Sequence, residues 1–322
     1  MNDAPTLAGK RVVIAARSFA STDPAPREAL QRAGVTVVQP GTPPRGEELA
    51  AMLGDADALI VGAIPLTEAH FAVAPRLRVV AMHGVGVDHI DLLAATAYGV
   101  VVTNAPGSND GAVADLAVGL MLACLRQIPA ADRAVRAGEW RSEVGEELTG
   151  KQIGILGWGR IGRNVARRLS GFDVSLLVHD PFVDAAEVSA SGANPLPLDD
   201  LLQRADIVSL HLPLTPDTSN LLDASTLAQM KRGAYLVNTA RGGIVDEVAM
   251  LELLQSGHLR GAGLDCFAVE PPVGNSLLEL PNVVVTPHIG AQTREAIGRM
   301  GAIAAENVLR VLGGEEPLYR VA

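Results

Sequence analysis

The sequence predicts an α/β protein of two doubly wound parallel-sheet domains, and three observations carry that expectation. Short apolar runs alternate with helical patterns along nearly the whole chain. A glycine-rich turn joins one such run to an amphipathic segment near the middle, at GILGWGRIG. The length, 322 residues of which 48% are hydrophobic, is ample for two cores.

The elements follow in order. From Lys10, RVVIAA, PREALQRAG, VTVV, GEELAAMLG and ALIVG read as strand, helix, strand, helix and strand. The alternation continues through Leu77 to Met82, a turn at Gly84 and Gly86, a helix from about Ile90 to Tyr98 and a strand ending at Thr103. Asn104, Ala105, Pro106 and Gly107 break the pattern and set a first domain boundary between residues 104 and 105. A long helix is expected from about Asp110 to Gly138, kinked or split by Pro129. It is apolar on more than one face, which suggests burial against a second subunit as well as its own domain, and hence a homodimer.

Residues Gln152 to Leu169, QIGILGWGRIGRNVARRL, read as strand, glycine turn and helix. Gly157 would allow the sharp reversal, Gly159 the close approach of a pyrophosphate, and Gly162 tight packing of helix on strand. The helix N-terminus would then offer the phosphates its free N–H groups. A second apolar run, Val174 to Val178, leads to Asp180, roughly 20 residues beyond the glycines, where a carboxylate accepts from the ribose hydroxyls. No Arg follows Asp180 directly to meet a 2′-phosphate, so NAD is expected rather than NADP.

Beyond Asp180 come helices near Asp184 to Ser191 and at LDDLLQRA, the strand DIVSLHL, helix STLAQM, strand AYLVNTA, helix DEVAMLELLQSG and strands GAGLD and NVVVT. This is a second doubly wound unit, expected over residues 105–289. The last helical pattern, Thr293 to Val311, is read as completing a discontinuous first domain, residues 1–104 and 290–322. No internal repeat, low-complexity linker or appended regulatory domain is read in the chain.

Composition excludes several classes. Acidic residues outnumber basic ones, 36 to 26, for a net charge of −10, and no Lys/Arg run could follow a phosphate backbone, which argues against nucleic acid as a partner. The N-terminal stretch lacks a signal-peptide apolar core, and no apolar run approaches the roughly 20 residues of a membrane helix. A cytoplasmic protein without membrane contact is expected. The two cysteines, Cys124 and Cys266, offer neither a disulfide framework nor a CxxC site, and the seven histidines show no short zinc spacing, so no metal is expected.

Three polar residues sit at strand ends of the second domain, where open α/β sheets bind ligands. Arg241, between AYLVNTA and two glycines, could bind a carboxylate bidentately and polarise a 2-oxo acid carbonyl. His288, after Pro287, can exchange a proton near neutrality, and Glu270 beside it would favour the imidazolium. Together they define a hydride transfer between NADH and a carbonyl carbon, with His288 protonating the oxygen and Arg241 holding the carboxylate; the reverse oxidises a 2-hydroxy acid.

The motifs HGVGVDHIDLLAA, TNAPGSNDGAVADLAVGLMLA, GILGWGRIG, HDP, NTARGGIVDE, LDCFAVEPP and TPHIGAQT fall in the order and spacing of one family. The chain resembles the D-isomer-specific 2-hydroxyacid dehydrogenases of the phosphoglycerate dehydrogenase type. The resemblance implies a Rossmann NAD-binding domain inserted into a flavodoxin-like substrate domain, with Arg241, Glu270 and His288 catalytic. It also implies cofactor contacts from Arg160, Ile161, Asp180 and Asp265, the last to the nicotinamide amide. The backbone at Val85 and Gly86 would cradle the substrate carboxylate, with Asn109 added to the substrate contacts, and the helix after Asn104 would dimerise.

The chain departs from the family pattern in two respects. Asp115 replaces the glutamate of AVAE, and the chain reads AMHGVG and AIPLTEA where an Arg or other basic residue is common. A phosphate would find little charge there beyond His83, which favours a small uncharged side chain, as in glyoxylate, hydroxypyruvate or pyruvate. 3-Phosphoglycerate dehydrogenase proper and a non-enzymatic NAD-sensing regulator are the alternatives.

Overall fold

The computed structural model describes residues 7–322. It forms two compact units, one running up to Asn109 and resuming at Ala291–Ala322, the other Asp110–Gly290. The divisions fall after Asn109 and Gly290, whereas the sequence pattern places them after residues 104 and 289. The turn at Pro106 and Gly107 still belongs to the first unit, where the amide of Ala105 donates to the Gly84 carbonyl at 2.8 Å.

In the first unit, strands β1 (Arg11–Ala15), β2 (Thr36–Val38), β3 (Ala58–Val61), β4 (Val79–Met82) and β5 (Val101–Thr103) form a parallel sheet of order β2-β1-β3-β4-β5. That is the flavodoxin-like order. Because side chains alternate across a strand, an unbroken apolar run must be covered on both faces. Val13, Leu59, Val61, Val80 and Val102 accordingly join one core and Val12, Ile14, Ile60, Val79 and Ala81 another. The helix Arg294–Gly313 closes the second core with Ala304, Ala305, Val308 and Leu312. Thr293 caps its start by accepting from the Ala296 amide at 3.1 Å, and Gly314, at φ 84, ends it in the left-handed region that favours glycine.

In the second unit, β6 (Gln152–Leu156), β7 (Ser175–His179), β8 (Asn194–Pro195), β9 (Ile207–Leu210), β10 (Ala234–Asn238), β11 (Leu259–Leu264) and β12 (Val283–Val285) form a parallel sheet of order β12-β11-β10-β9-β6-β7-β8. Strand order reverses between β6 and β9, so the crevice beyond their carboxyl ends is where this topology places a ligand. Both faces are again buried in separate cores.

The long helix expected from Asp110 to Gly138 is two helices, Asp110–Leu125 and Ile128–Arg136, bent by 63°. The break lies at Gln127, at φ 52, and Pro129 sits in the first turn of the second helix. A proline ring there needs no amide partner, whereas in a continuous helix it would clash with the carbonyl of Leu125. Ala117, Leu120, Met121, Cys124 and Leu125 of the first helix bury into the unit's own core. Among the described residues no single helix is long and apolar enough to cross a membrane. Cys124 and Cys266 are both buried and free.

Candidate active site

The glycine turn follows β6 directly. Gly157 has φ 97, and a Cβ there would stand 2.6 Å from the His211 carbonyl oxygen; a Cβ on Gly162 would collide with the backbone of Gly157. These two glycines are therefore required by packing within the protein. Gly159 differs, since a Cβ there meets nothing within 4 Å. Open space beside the N-cap of helix Arg160–Leu169, which has no side-chain cap, leaves first-turn amides available to a phosphate. The turn thus fits a dinucleotide at the position where the sequence places one.

Asp180, just past β7, is oriented by two backbone amides, accepting from Trp158 at 2.7 Å and from Phe182 at 3.0 Å. Since Trp158 lies between Gly157 and Gly159, the carboxylate and the glycine turn form one piece. A hollow of about 310 Å³, walled by Val178, Pro181, Val183, Pro195 and Pro197, adjoins Asp180. Ile161 packs against the core, while the Arg160 side chain is 72% exposed and reaches to 3.9 Å from Asp110.

On the other side of the switch point, the structure brings Arg241, Glu270 and His288 into one cluster at the ends of β10, β11 and β12. The Asn238 side chain shapes the first loop, accepting from the Ala240 amide at 3.0 Å and donating to the Arg241 carbonyl at 2.9 Å. Arg241 Nη1 donates to the Ala240 carbonyl at 2.8 Å. Gly242 lies so close to the backbone of Phe267 and Ala268 that a Cβ would collide with it. The Arg241 loop and the Glu270 loop therefore interlock.

His288 Nδ1 lies 3.0 and 2.9 Å from the two oxygens of Glu270. Its backbone is left-handed, at φ 52, a conformation that costs a non-glycine residue about 1–3 kcal/mol and persists only where surroundings fix it. The fixing group is Asp265, whose carbonyl accepts from the His288 amide at 2.9 Å. The Asp265 carboxylate, 2% exposed, accepts from Thr286 Oγ1 at 2.6 Å, Ile289 N at 2.7 Å and Gly290 N at 2.8 Å. Asp265, assigned to the nicotinamide by resemblance, is thus first of all the anchor of the loop that carries His288.

The hydrogen bond to Glu270 is the main cause holding His288 above the usual histidine range, against partial burial and with the added negative charge of Asp265. Burial works to raise Glu270, but the His288 bond, the Phe267 amide and the Arg241 charge outweigh it and hold the carboxyl low. Each group of the pair thus favours the charged form of the other. Nδ1–H is committed to Glu270, which leaves Nε2 to exchange a proton with a ligand.

Val85, Gly86 and Asn109 belong to the first unit. Val85 and Gly86 lie in the loop after β4, where Asn104 Nδ2 donates to the Val85 carbonyl at 2.8 Å. Asn109 Oδ1 is buried and has no partner among the described residues. His83 directly follows the same strand but is 6% exposed, edge-on to Phe19 with ring centroids 5.8 Å apart. Burial pushes its pKa down to about 4. It is neutral at pH 7 and supplies no replacement for the missing cation. Asp115, one methylene shorter than the family's glutamate, is matched by an ion pair with Arg168, which also donates to the Gly111 carbonyl at 3.0 Å.

Sequence reasoning missed the supports: Asn238, Thr286 and Glu247, whose carboxylate bonds into the Glu270 loop. Each is a polar residue beside a catalytic motif, and only the fold reveals which loop it fastens.

Comparison with known proteins places the chain in a family. Residues 118–290 match the model of the D-isomer specific 2-hydroxyacid dehydrogenase NAD-binding domain. The D-3-phosphoglycerate dehydrogenase of Mycobacterium bovis is 48% identical over 275 residues, covering 84% of this chain and 52% of that protein. The chain spans about half the length of the curated relatives it matches. Among solved structures, the TT0316 protein of Thermus thermophilus is 39% identical with a TM-score of 0.88, covering 97% of this chain and all of that one. A glyoxylate reductase from Paecilomyes thermophila is 32% identical with a TM-score of 0.85, covering 97% and 98% of the two chains. The chain belongs to the D-isomer-specific 2-hydroxyacid dehydrogenase family, and its second unit carries the family's NAD-binding domain.

Proposed function

We propose that this chain is an NAD-dependent oxidoreductase interconverting a small 2-oxo acid and the corresponding D-2-hydroxy acid. The observation that carries the reading is the His288–Glu270 pair at 2.9 Å, set on the same sheet as the NAD turn and interlocked with the Arg241 loop. When bound, NADH supplies the hydride for the carbonyl carbon. Arg241 pairs with the substrate carboxylate and draws charge toward the carbonyl oxygen. His288 donates its Nε2 proton to that oxygen, and Glu270 stabilises the imidazolium that precedes the transfer. In the oxidative direction the neutral ring takes the proton back. Asp180 holds the cofactor's ribose, and the amides opened by Gly159 hold its pyrophosphate.

For substrate, a short uncharged side chain fits best. Neither AMHGVG nor AIPLTEA presents an Arg or Lys, and His83 is neutral. Glyoxylate, the substrate class named for one structural relative, is the first candidate. The identity to phosphoglycerate dehydrogenases favours 3-phosphoglycerate as the second reading.

The active form is a homodimer. Its support is apolar surface on and after the second half of the broken helix: Ile128 and Val135 are about half exposed, Trp140 is 92% and Val144 86% exposed.

A steady-state panel of glyoxylate, hydroxypyruvate, pyruvate and 3-phosphohydroxypyruvate with NADH and NADPH tests the whole reading. Turnover with NADH of the uncharged acids above the phosphorylated one is expected; NADH binding without turnover of any 2-oxo acid would leave the regulator reading standing.

A further inference from the structure

Glu247 is the first residue of helix Glu247–Gln255, six positions after Arg241, yet it takes no part in capping that helix. Asp246 does so, accepting from the Val248 and Ala249 amides at 3.0 and 3.1 Å. The Glu247 carboxylate instead leaves the helix for the loop that carries Glu270. Its Oε1 accepts from the Ala268 amide at 2.6 Å and its Oε2 from Asn275 Nδ2 at 2.7 Å. Asn275 is itself committed, because its Oδ1 accepts from the Leu277 amide at 3.0 Å and caps the short 3-10 helix Ser276–Glu279.

One carboxylate therefore spans both ends of the 268–275 segment, within which Glu270 lies. The neighbouring amide, Phe267, donates to Glu270 Oε1 at 3.1 Å, so the backbone that Glu247 grips also orients the Glu270 side chain. Gly242 completes the arrangement, its backbone lying against Phe267 and Ala268. An NH donor bonded to an ionised acceptor is roughly twice as strong as a neutral pair, so the clamp is a firm one for its size.

We infer that Glu247 is a positioning residue for the proton-transfer pair: by fastening Ala268 and Asn275 it holds Glu270 at hydrogen-bonding distance from His288. The inference rests on the reading of His288 as the proton donor. The charged and titratable groups around His288 are Glu270, Asp265 and Arg241, with the Cys266 thiol beside Glu270 and Asp265. Glu247 acts on the pair through the loop that its two hydrogen bonds fasten.

Loosening the loop weakens the Glu270 bond that favours the imidazolium, and so moves the His288 titration to lower pH. The test uses the full chain in two variants, Glu247→Ala and Glu247→Gln. Gln keeps an oxygen for Ala268 but turns a donor toward the Asn275 donor, so it retains one fastening. The His288 imidazole is titrated by NMR, with His288→Gln as the assignment control, and the alkaline limb of 2-oxo acid reduction is recorded in parallel.

Glu247→Ala is expected to lower the His288 pKa by about half to one unit and kcat by about tenfold, with KM for NADH unchanged; Glu247→Gln falls between it and the wild type. A drop in melting temperature with both the NMR pKa and the limb unmoved would overturn the inference. If Glu247→Ala does not fold, Glu247→Gln decides by the same two readouts. Should the wild type reduce no 2-oxo acid, the functional reading fails, while the NMR titration still decides what Glu247 does.

Discussion

Two histidines that lie just beyond strands, His83 in the first unit and His288 in the second, have opposite fates. His83 follows β4 in the first unit and is sealed against Phe19, its Nε2 buried with no hydrogen-bond partner among the described residues; burial pushes it down to about 4. His288 follows β12 in the second unit, with two-fifths of its side chain exposed, and faces both oxygens of Glu270, which hold it above the usual histidine range. The residue type and the place at a strand's carboxyl end are shared. What differs is whether a carboxylate is within hydrogen-bonding distance and whether water reaches the ring, and those two conditions set the direction in which each pKa moves. His288 differs from His83 because the loop between β11 and β12 supplies it with a carboxylate partner.

Three substitutions probe that contrast. The largest effect is expected at His288→Ala, which should lower kcat by about two to four powers of ten, the usual worth of a general acid. NADH affinity, read by fluorescence titration, should hardly change, because Asp180 is fastened to the glycine turn through Trp158 and to Phe182, away from the His288 loop. Retained turnover would put the donor elsewhere.

A smaller change should follow Glu270→Gln, which leaves the ring in place and removes its charge partner. Reduction needs the imidazolium and is therefore lost as pH rises through the His288 pKa. With that pKa no longer raised, the alkaline limb should move to lower pH. Oxidation, which needs the neutral ring, should extend to lower pH by the same amount. A pH–rate profile in both directions checks this, and an unmoved limb would detach Glu270 from the titration.

The smallest effect belongs to His83→Gln. A ring already neutral near pH 7 contributes no charge to lose, so the pH profile of kcat/KM above pH 6 should stay where it is. Some loss of melting temperature is expected from the disturbed contact with Phe19. A shift of the profile by half a unit or more would show that His83 does carry a proton in the working range, and the contrast between the two histidines would collapse.

Much of the fold can be read from the chain because its strands are continuous apolar runs and its turns are marked by glycine and proline. Both sheets, the discontinuous first unit and the glycine turn follow from patterns of local sequence. The break at Gln127 is foreshadowed only by Pro129, since a proline announces that a helix cannot continue without saying which upstream residue will turn left-handed.

At the site, Arg241, Glu270 and His288 can be named from sequence because each stands at the end of a recognisable strand. Their supports cannot. Asp265, a nicotinamide contact by resemblance, also spends its oxygens on Thr286, Ile289 and Gly290; Glu247, at the start of its helix, fastens a loop 21 to 28 positions away.

Local sequence is enough for the periodicity, the places where the backbone must turn, and the chemical types at each strand end, because those depend on neighbours along the chain. Folding in three dimensions settles the rest: which way burial and partners move the pKa values of His83 and His288, which carboxylates are spent on holding loops, and how Glu270 meets His288. These depend on desolvation and on hydrogen bonds between residues far apart in the chain, and both arise only when the folded loops come together.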